Sequence, residues 1–331
     1  MFFERSTEMK RILLIALMLI VVFGSPAFAQ KKYPTKPITI VCPWGAGGGT
    51  DRTARFMADA LSKELKVPVN VVNKTGGSGA VGHVAGALAA PDGYTILNAT
   101  FEIVTLKYLG YADITPSSVI PLFQFNEDAA AVSVKADSPY KDVPSMIAAI
   151  KSKPEGTFMT SGSTIASAWD LPRIRMLMAA GIKPSTVKYI PTQGGAAPAI
   201  TELLGGHVDA VFCSYPEIAP QVAAGAVRTI GVFSEKRDPM FPEIPTLKEQ
   251  GLNVAGGTWR GFTLPNGTPA AVVKTLETAF KKITASQEFK DFMVKNQFGI
   301  MVRDSKEFGK YMNEQFASLE KVMDEAGYLK K

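Results

Sequence analysis

Residues 41–55, VCPWGAGGGTDRTAR, constrain the fold more than any other stretch of the chain. A β-type run over residues 37–41 stops at Pro43, four glycines follow within five residues, and Thr50 or Asp51 then opens a helical pattern. Ala54, Met57, Ala58, Leu61 and Leu65 recur at three- and four-residue steps, so the predicted helix has one apolar face. A strand, a glycine turn and a helix start gather unpaired backbone N–H groups about one point, and the helix dipole makes that point positive. Such a turn is either a small-anion site or simply a tight, capped βα connection.

The rest of the chain repeats the arrangement. A second strand over residues 67–72 leads into Asn73-Lys74-Thr75-Gly76-Gly77-Ser78-Gly79, a small-residue helix over 83–90 and a third strand over 94–99. This β-α-β-α-β order predicts a parallel sheet. Strands follow within 119–134 and a short helix over 144–151. The pattern then restarts with a strand near 157–160, the turn Ser161-Gly162-Ser163 and a helix reaching Ala180. A strand over 187–190, the turn Gly194-Gly195, a helix over 197–204 and strands over 208–212 and 228–233 complete it. The tail carries two amphipathic helices, one opened by Thr268-Pro269 and one using Phe308, Met312, Phe316, Leu319 and Met323. Two βαβ series predict two α/β domains.

Composition matters chiefly for what it excludes. The net charge of +6 over 331 residues is spread thinly, with no basic block, which argues against a nucleic-acid or membrane-surface partner. Lys10-Arg11, an apolar run over residues 12–23 and the small residues Ala27 and Ala29 read as a signal peptide spanning 1–29, with cleavage before Gln30. The expected location is therefore periplasmic or otherwise extracytoplasmic. Cys42 and Cys213 are the only cysteines and are expected to be free, buried thiols.

Enzyme chemistry finds little support. Gly77, Gly79 and Gly82 spell G-x-G-x-x-G, with Glu102 twenty residues beyond the last glycine, but four residues, Asn73-Lys74-Thr75-Gly76, separate the strand end at Val72 from the first glycine. No lysine follows the glycines at 45–49, which excludes a P-loop. There is no G-x-S-x-G, and the two histidines, His83 and His207, are expected in surface or capping roles. No metal site and no cofactor is expected. Trp44 and Trp169 lie in or beside glycine and serine turns, where an indole either packs into the core or walls a pocket. Two domains facing each other through such turns make a hinged ligand trap, since ligands of open α/β sheets sit at the carboxyl ends of the strands.

The motifs that carry a resemblance are Tyr33-Pro34-Thr35-Lys36-Pro37-Ile38, Gly48-Gly49-Thr50-Asp51-Arg52 and Asn73-Lys74-Thr75-Gly76-Gly77-Ser78-Gly79. Further on come Gly194-Gly195-Ala196-Ala197-Pro198, Gly205-Gly206-His207-Val208-Asp209 and Leu264-Pro265-Asn266-Gly267-Thr268-Pro269. On these the chain resembles the extracytoplasmic solute-binding proteins of tripartite tricarboxylate transporters, the Bug family. The resemblance implies an α/β, two-domain periplasmic-binding-protein fold of type II, a Venus flytrap with its ligand cleft between the domains. Its first domain would be discontinuous, 31–130 plus 258–331, and its second would be 131–257. It also implies a monomeric, non-enzymatic protein that passes a small organic acid to membrane permease subunits. The acid would be a mono- or dicarboxylate, amino acids included. The alternatives are a sensory subunit for a membrane receptor and an exported enzyme using the same cleft.

Carried onto this sequence, the contacts are Gly48, Gly49, Thr50 and Asp51 in the first loop, then Ser161, Gly162 and Ser163, then Gly194, Gly195 and Ala196. Thr100 and Ser214 would be walls. Trp44 departs from the family's proline-rich first loop. Where the family has Ser-x-x-His-Leu this chain has Ser167-Ala168-Trp169-Asp170-Leu171. Asp170, Glu102 and Asp51 together disfavour a pure tricarboxylate.

Overall fold

The computed structural model describes residues 33–330; the signal-peptide segment, 1–29, lies outside them. From Lys36 onward the chain packs as one unit. In chain order its elements are β1 (Ile38–Cys42), α1 (Gly49–Leu65), β2 (Val69–Asn73), α2 (Ala80–Ala87), β3 (Thr95–Thr100), β4 (Val119–Lys135), α3 (Val143–Ser152), β5 (Met159–Ser161) and α4 (Asp170–Ala179). There follow β6 (Lys188–Ile190), α5 (Ala196–Leu204), β7 (Ala210–Ser214), α6 (Tyr215–Ala223), β8 (Val227–Val232) and β9 (Gly257–Pro265). The chain closes with α7 (Ala270–Ala285), α8 (Gln287–Lys295), β10 (Ile300–Arg303) and α9 (Ser305–Glu325).

Among the described residues the strands form one sheet in the order β2-β1-β3-β9-β4-β7-β5-β6, with β8 and β10 also paired to β4. β1 runs parallel to β2 and β3, Ile40 standing opposite Val71 and Ile96. β5 is likewise parallel to β6 and β7. Between these parallel sets β9 and β4 run antiparallel to each other. The segment read as several strands is a single strand of 17 residues, β4. Its first part pairs with β9 as far as Ala129, and its second part pairs with β7 and β8 from Ala130 and Ala131 onward. β4 therefore links the two parallel sets, through β9 on one side and directly to β7 on the other.

The predicted apolar face of α1 is present: Ala54, Met57, Ala58 and Leu61 are buried. The core beneath β4 and β9 is aromatic. Phe262 stacks on Phe125 and on Phe280 of α7, and Trp259 meets Phe308 of α9 edge-on. Four elements differ from the sequence reading. α4 starts only at Asp170, because the Ser167 hydroxyl accepts from the amides of Trp169 and Asp170 and Ala166 is left-handed (φ 53°). Helix α6 is set off by a capping box, Ser214 with Glu217. Helix α8 and strand β10 likewise follow α7 without having been read from the sequence. Cys42 and Cys213 are free and buried, and burial pushes the Cys42 thiol up to about 12. Among the described residues no helix is long and apolar enough to cross a membrane.

Candidate functional site

The βα turns converge on a cavity of about 360 Å³, its open mouth included. Trp44, Gly48, Gly49, Thr50, Ser163, Trp169, Gly194, Gly195 and Ala196 line it, as do Glu102, Glu217, Thr258 and Arg260. Helices α1 and α5 both begin on this wall, at Gly48 and Gly195, and neither start carries a side-chain cap. First-turn amides are therefore left to be satisfied from the cavity, and both dipoles present their positive ends to it. Two of the loops that supply the wall are joined by a main-chain bond, from the Gly45 amide in the β1–α1 loop to the Gly194 carbonyl in the β6–α5 loop (3.1 Å). A Cβ on Gly45 would stand 3.0 Å from that carbonyl oxygen, tighter than ordinary contact, so the approach favours glycine.

Five residues carried over from the resemblance stand behind the wall. The Asp51 carboxylate accepts from the Gly47 amide (2.9 Å), Arg55 and Asn73. Burial would raise its pKa, but those bonds outweigh it and hold it low. The Ser161 hydroxyl donates to the Ile190 carbonyl (2.7 Å). Gly162 is pressed against the backbone, where a Cβ would lie 2.5 Å from the Phe212 carbonyl oxygen. Ser214 caps α6. Thr100 accepts from the Trp44 indole N–H (3.1 Å) and donates to the Glu102 carboxyl, so it fixes both side chains of the wall.

The acids sort differently from the sequence reading. Asp170 is fully buried and does not line the cavity. It accepts from the Ala166 amide (2.9 Å), Arg173 (2.8 Å) and the Tyr328 hydroxyl (2.9 Å). Glu102 does line the cavity, with one oxygen bonded to Thr100 and the other to the Ala168 amide (3.1 Å). Glu217, Thr258 and Arg260 were not anticipated. Arg260 is 1% exposed; its Nε donates to Thr50 Oγ1 (3.0 Å) and its Nη1 to Asn126 and Asp128. Nη2 lies 3.9 Å from Glu217 Oε1. Glu217 Oε2 accepts from the Ser214 hydroxyl (3.1 Å). Burial pushes the carboxyls of Glu102 and Glu217 up.

His83 corrects the surface reading. It is fully buried, because Gly82 and Gly86 bring α2 so close that a Cβ on them would meet Pro43 Cα at 2.5 Å and Leu97 Cβ at 2.6 Å. Its Nδ1–H donates to the Gly79 carbonyl (2.8 Å) and its Nε2 accepts the Thr100 amide (3.2 Å), which fixes the neutral tautomer. Burial lowers its pKa to about 4. The unfolded chain takes up the proton near pH 6.5, so stability is whole above that value and declines as pH falls toward 4. The expected loss from this residue is about 3 kcal/mol. Urea unfolding at pH 7 and pH 4.5 checks it. The His83→Gln protein should show the shallower pH dependence, and equal slopes would refute the assignment.

The profile of the Tripartite tricarboxylate transporter family receptor matches residues 53–328. A "UPF0065 protein in gbd 5'region" from Cupriavidus necator is 31% identical over 311 residues, 92% of each chain. The structure of the periplasmic binding protein BugD, 27% identical, superposes with a TM-score of 0.80 over 90% of this chain and 100% of the other. That of R. palustris Rpa4515 with adipate, 25% identical, gives a TM-score of 0.81 over 89% and 98%. The fold is thus the α/β, two-domain Venus flytrap of periplasmic binding proteins.

Proposed function

The chain belongs to the tripartite tricarboxylate transporter receptor family, and on that premise we propose that it captures a small organic carboxylate outside the cytoplasm for the membrane subunits of such a transporter. The observation that carries this reading is the convergence of two helix starts without side-chain caps, Gly48–Thr50 and Gly195–Ala196, on one cavity. A carboxylate placed there meets backbone donors and two positive dipole ends. The adipate in Rpa4515 supports the same ligand class.

In this reading the lobes divide at residues 31–130 plus 258–331 and 131–257. β4 exchanges β9 for β7 and β8 at Ala129–Ala130, and β9 starts at Gly257, which supports those boundaries. Closing of the lobes encloses the acid, and ordered waters complete its contacts at little net cost.

A thermal-shift screen of mono- and dicarboxylates, with amino acids included, tests the proposal. An acid present at a hundredfold over its Kd should stabilise the protein by about 2.7 kcal/mol. If no carboxylate raises the melting temperature, the proposal fails.

A further inference from the structure

Resting on that reading, we propose that the captured acid also carries a cationic nitrogen, seated by Glu102, Glu217 and the indoles of Trp44 and Trp169 while its carboxylate lies on the helix starts. The charges around the cavity are unevenly paired. Asp51 and Asp170 have their own arginines, Arg55 and Arg173, and neither lines the wall. The cation of the wall, Arg260, is paired with Asp128 behind it. Glu102 and Glu217 are left facing the same small space.

Glu102 is bonded only to neutral donors, the Thr100 hydroxyl and the Ala168 amide. Glu217 is bonded through Oε2 to Ser214, while its Oε1 stands 3.9 Å from Arg260 Nη2, too far for a hydrogen bond. A purely anionic ligand would bring a further negative charge to two carboxyl groups whose nearest cation in the wall, Arg260, is tied more closely to Asp128 than to either of them. An ammonium group supplies them with a cation, and its charge offsets the burial that pushes both carboxyls up. The aromatic walls act in the same direction, because indole faces attract cations. Trp44 and Glu102 are held together through one hydroxyl, that of Thr100, which fixes aromatic and acidic walls side by side.

The test is isothermal titration with acids in matched pairs, with and without an amino group, including adipate against 2-aminoadipate and butyrate against 4-aminobutyrate. The amino member of at least one pair should bind about tenfold tighter or more than its partner. In the Glu217→Gln and Glu102→Gln proteins that ratio should fall toward one. Glutamine can still serve the capping box of α6, so the fold of the Glu217 variant is expected to persist. If plain acids bind at least as tightly as their amino partners in every pair, the inference is overturned while capture of acids stands. A preference that survives in both glutamine variants overturns the residue assignment. If neither member of any pair binds, the inference falls together with the reading it rests on.

Discussion

A Gly49→Val protein is expected to fold and to lose at least about a hundredfold in affinity for any acid the wild-type chain captures, or about 2.7 kcal/mol. Gly49 is the first residue of α1 and lines the cavity. A Cβ there would stand 2.8 Å from Arg260 Nη2 and 3.2 Å from both Cγ and Oε1 of Glu217. The guanidinium has little room to retreat, since Thr50, Asn126 and Asp128 hold its other nitrogens. The added side chain must therefore fill the cavity or break that set of bonds. Gly48 supplies the contrast, because its Cβ would meet only the Gly45 carbonyl oxygen, at an ordinary 3.6 Å, on extended backbone with φ −72°. Gly48→Ala should keep affinity within about threefold, a change of well under 1 kcal/mol. Titration calorimetry on both proteins, with circular dichroism to confirm the fold, decides the matter. A Gly49→Val protein that binds like wild type would remove this cavity from consideration.

Arg260→Met should cost about 3–5 kcal/mol of folding stability, the second large effect. The arginine ties β9 to β4 through Asn126 and Asp128 and to α1 through Thr50, and it is almost fully buried. Removing it leaves the Asp128 carboxylate, itself buried, with only the Asn126 amide and the Gly299 amide as donors. The cost comes from that stranded charge more than from the lost attraction. Neutralising it as well, in Arg260→Met with Asp128→Asn, should therefore restore a large share of the loss. Urea unfolding of the two proteins gives the comparison. A single variant within about 1 kcal/mol of wild type would mean that water reaches the pair and screens it.

Local sequence carried much of this site and little of its charge. The β1–turn–α1 unit, the turn at Gly194-Gly195 and the parallel strand sets follow from spacing, and the structure brings nine of the residues read from those turns onto one wall. Arg260 and Glu217 were missed because their meaning is non-local: Arg260 bonds Asp128 and Asn126, over a hundred residues away. A signal existed in each case. An arginine inside the apolar run T-W-R-G-F-T-L needs a buried partner, and Ser214-Tyr-Pro-Glu217 is a capping box that announces α6. The continuity of β4 had no comparable local sign. Its length follows from pairing first with β9 and then with β7 and β8, which no window on the strand itself contains. His83 was misplaced for a similar reason. Its burial depends on how closely glycines let α2 approach β1 and β3, a distance and not a composition.

The bond that joins the β1–α1 and β6–α5 loops is made from the Gly45 amide to the Gly194 carbonyl, main chain to main chain. A fastening of that kind is inherited with the path of the backbone and is indifferent to the side chains that surround it. Side chains of the lining can therefore be exchanged without loss of that fastening. A side chain at position 45 itself would crowd the Gly194 carbonyl and so press on the fastening directly.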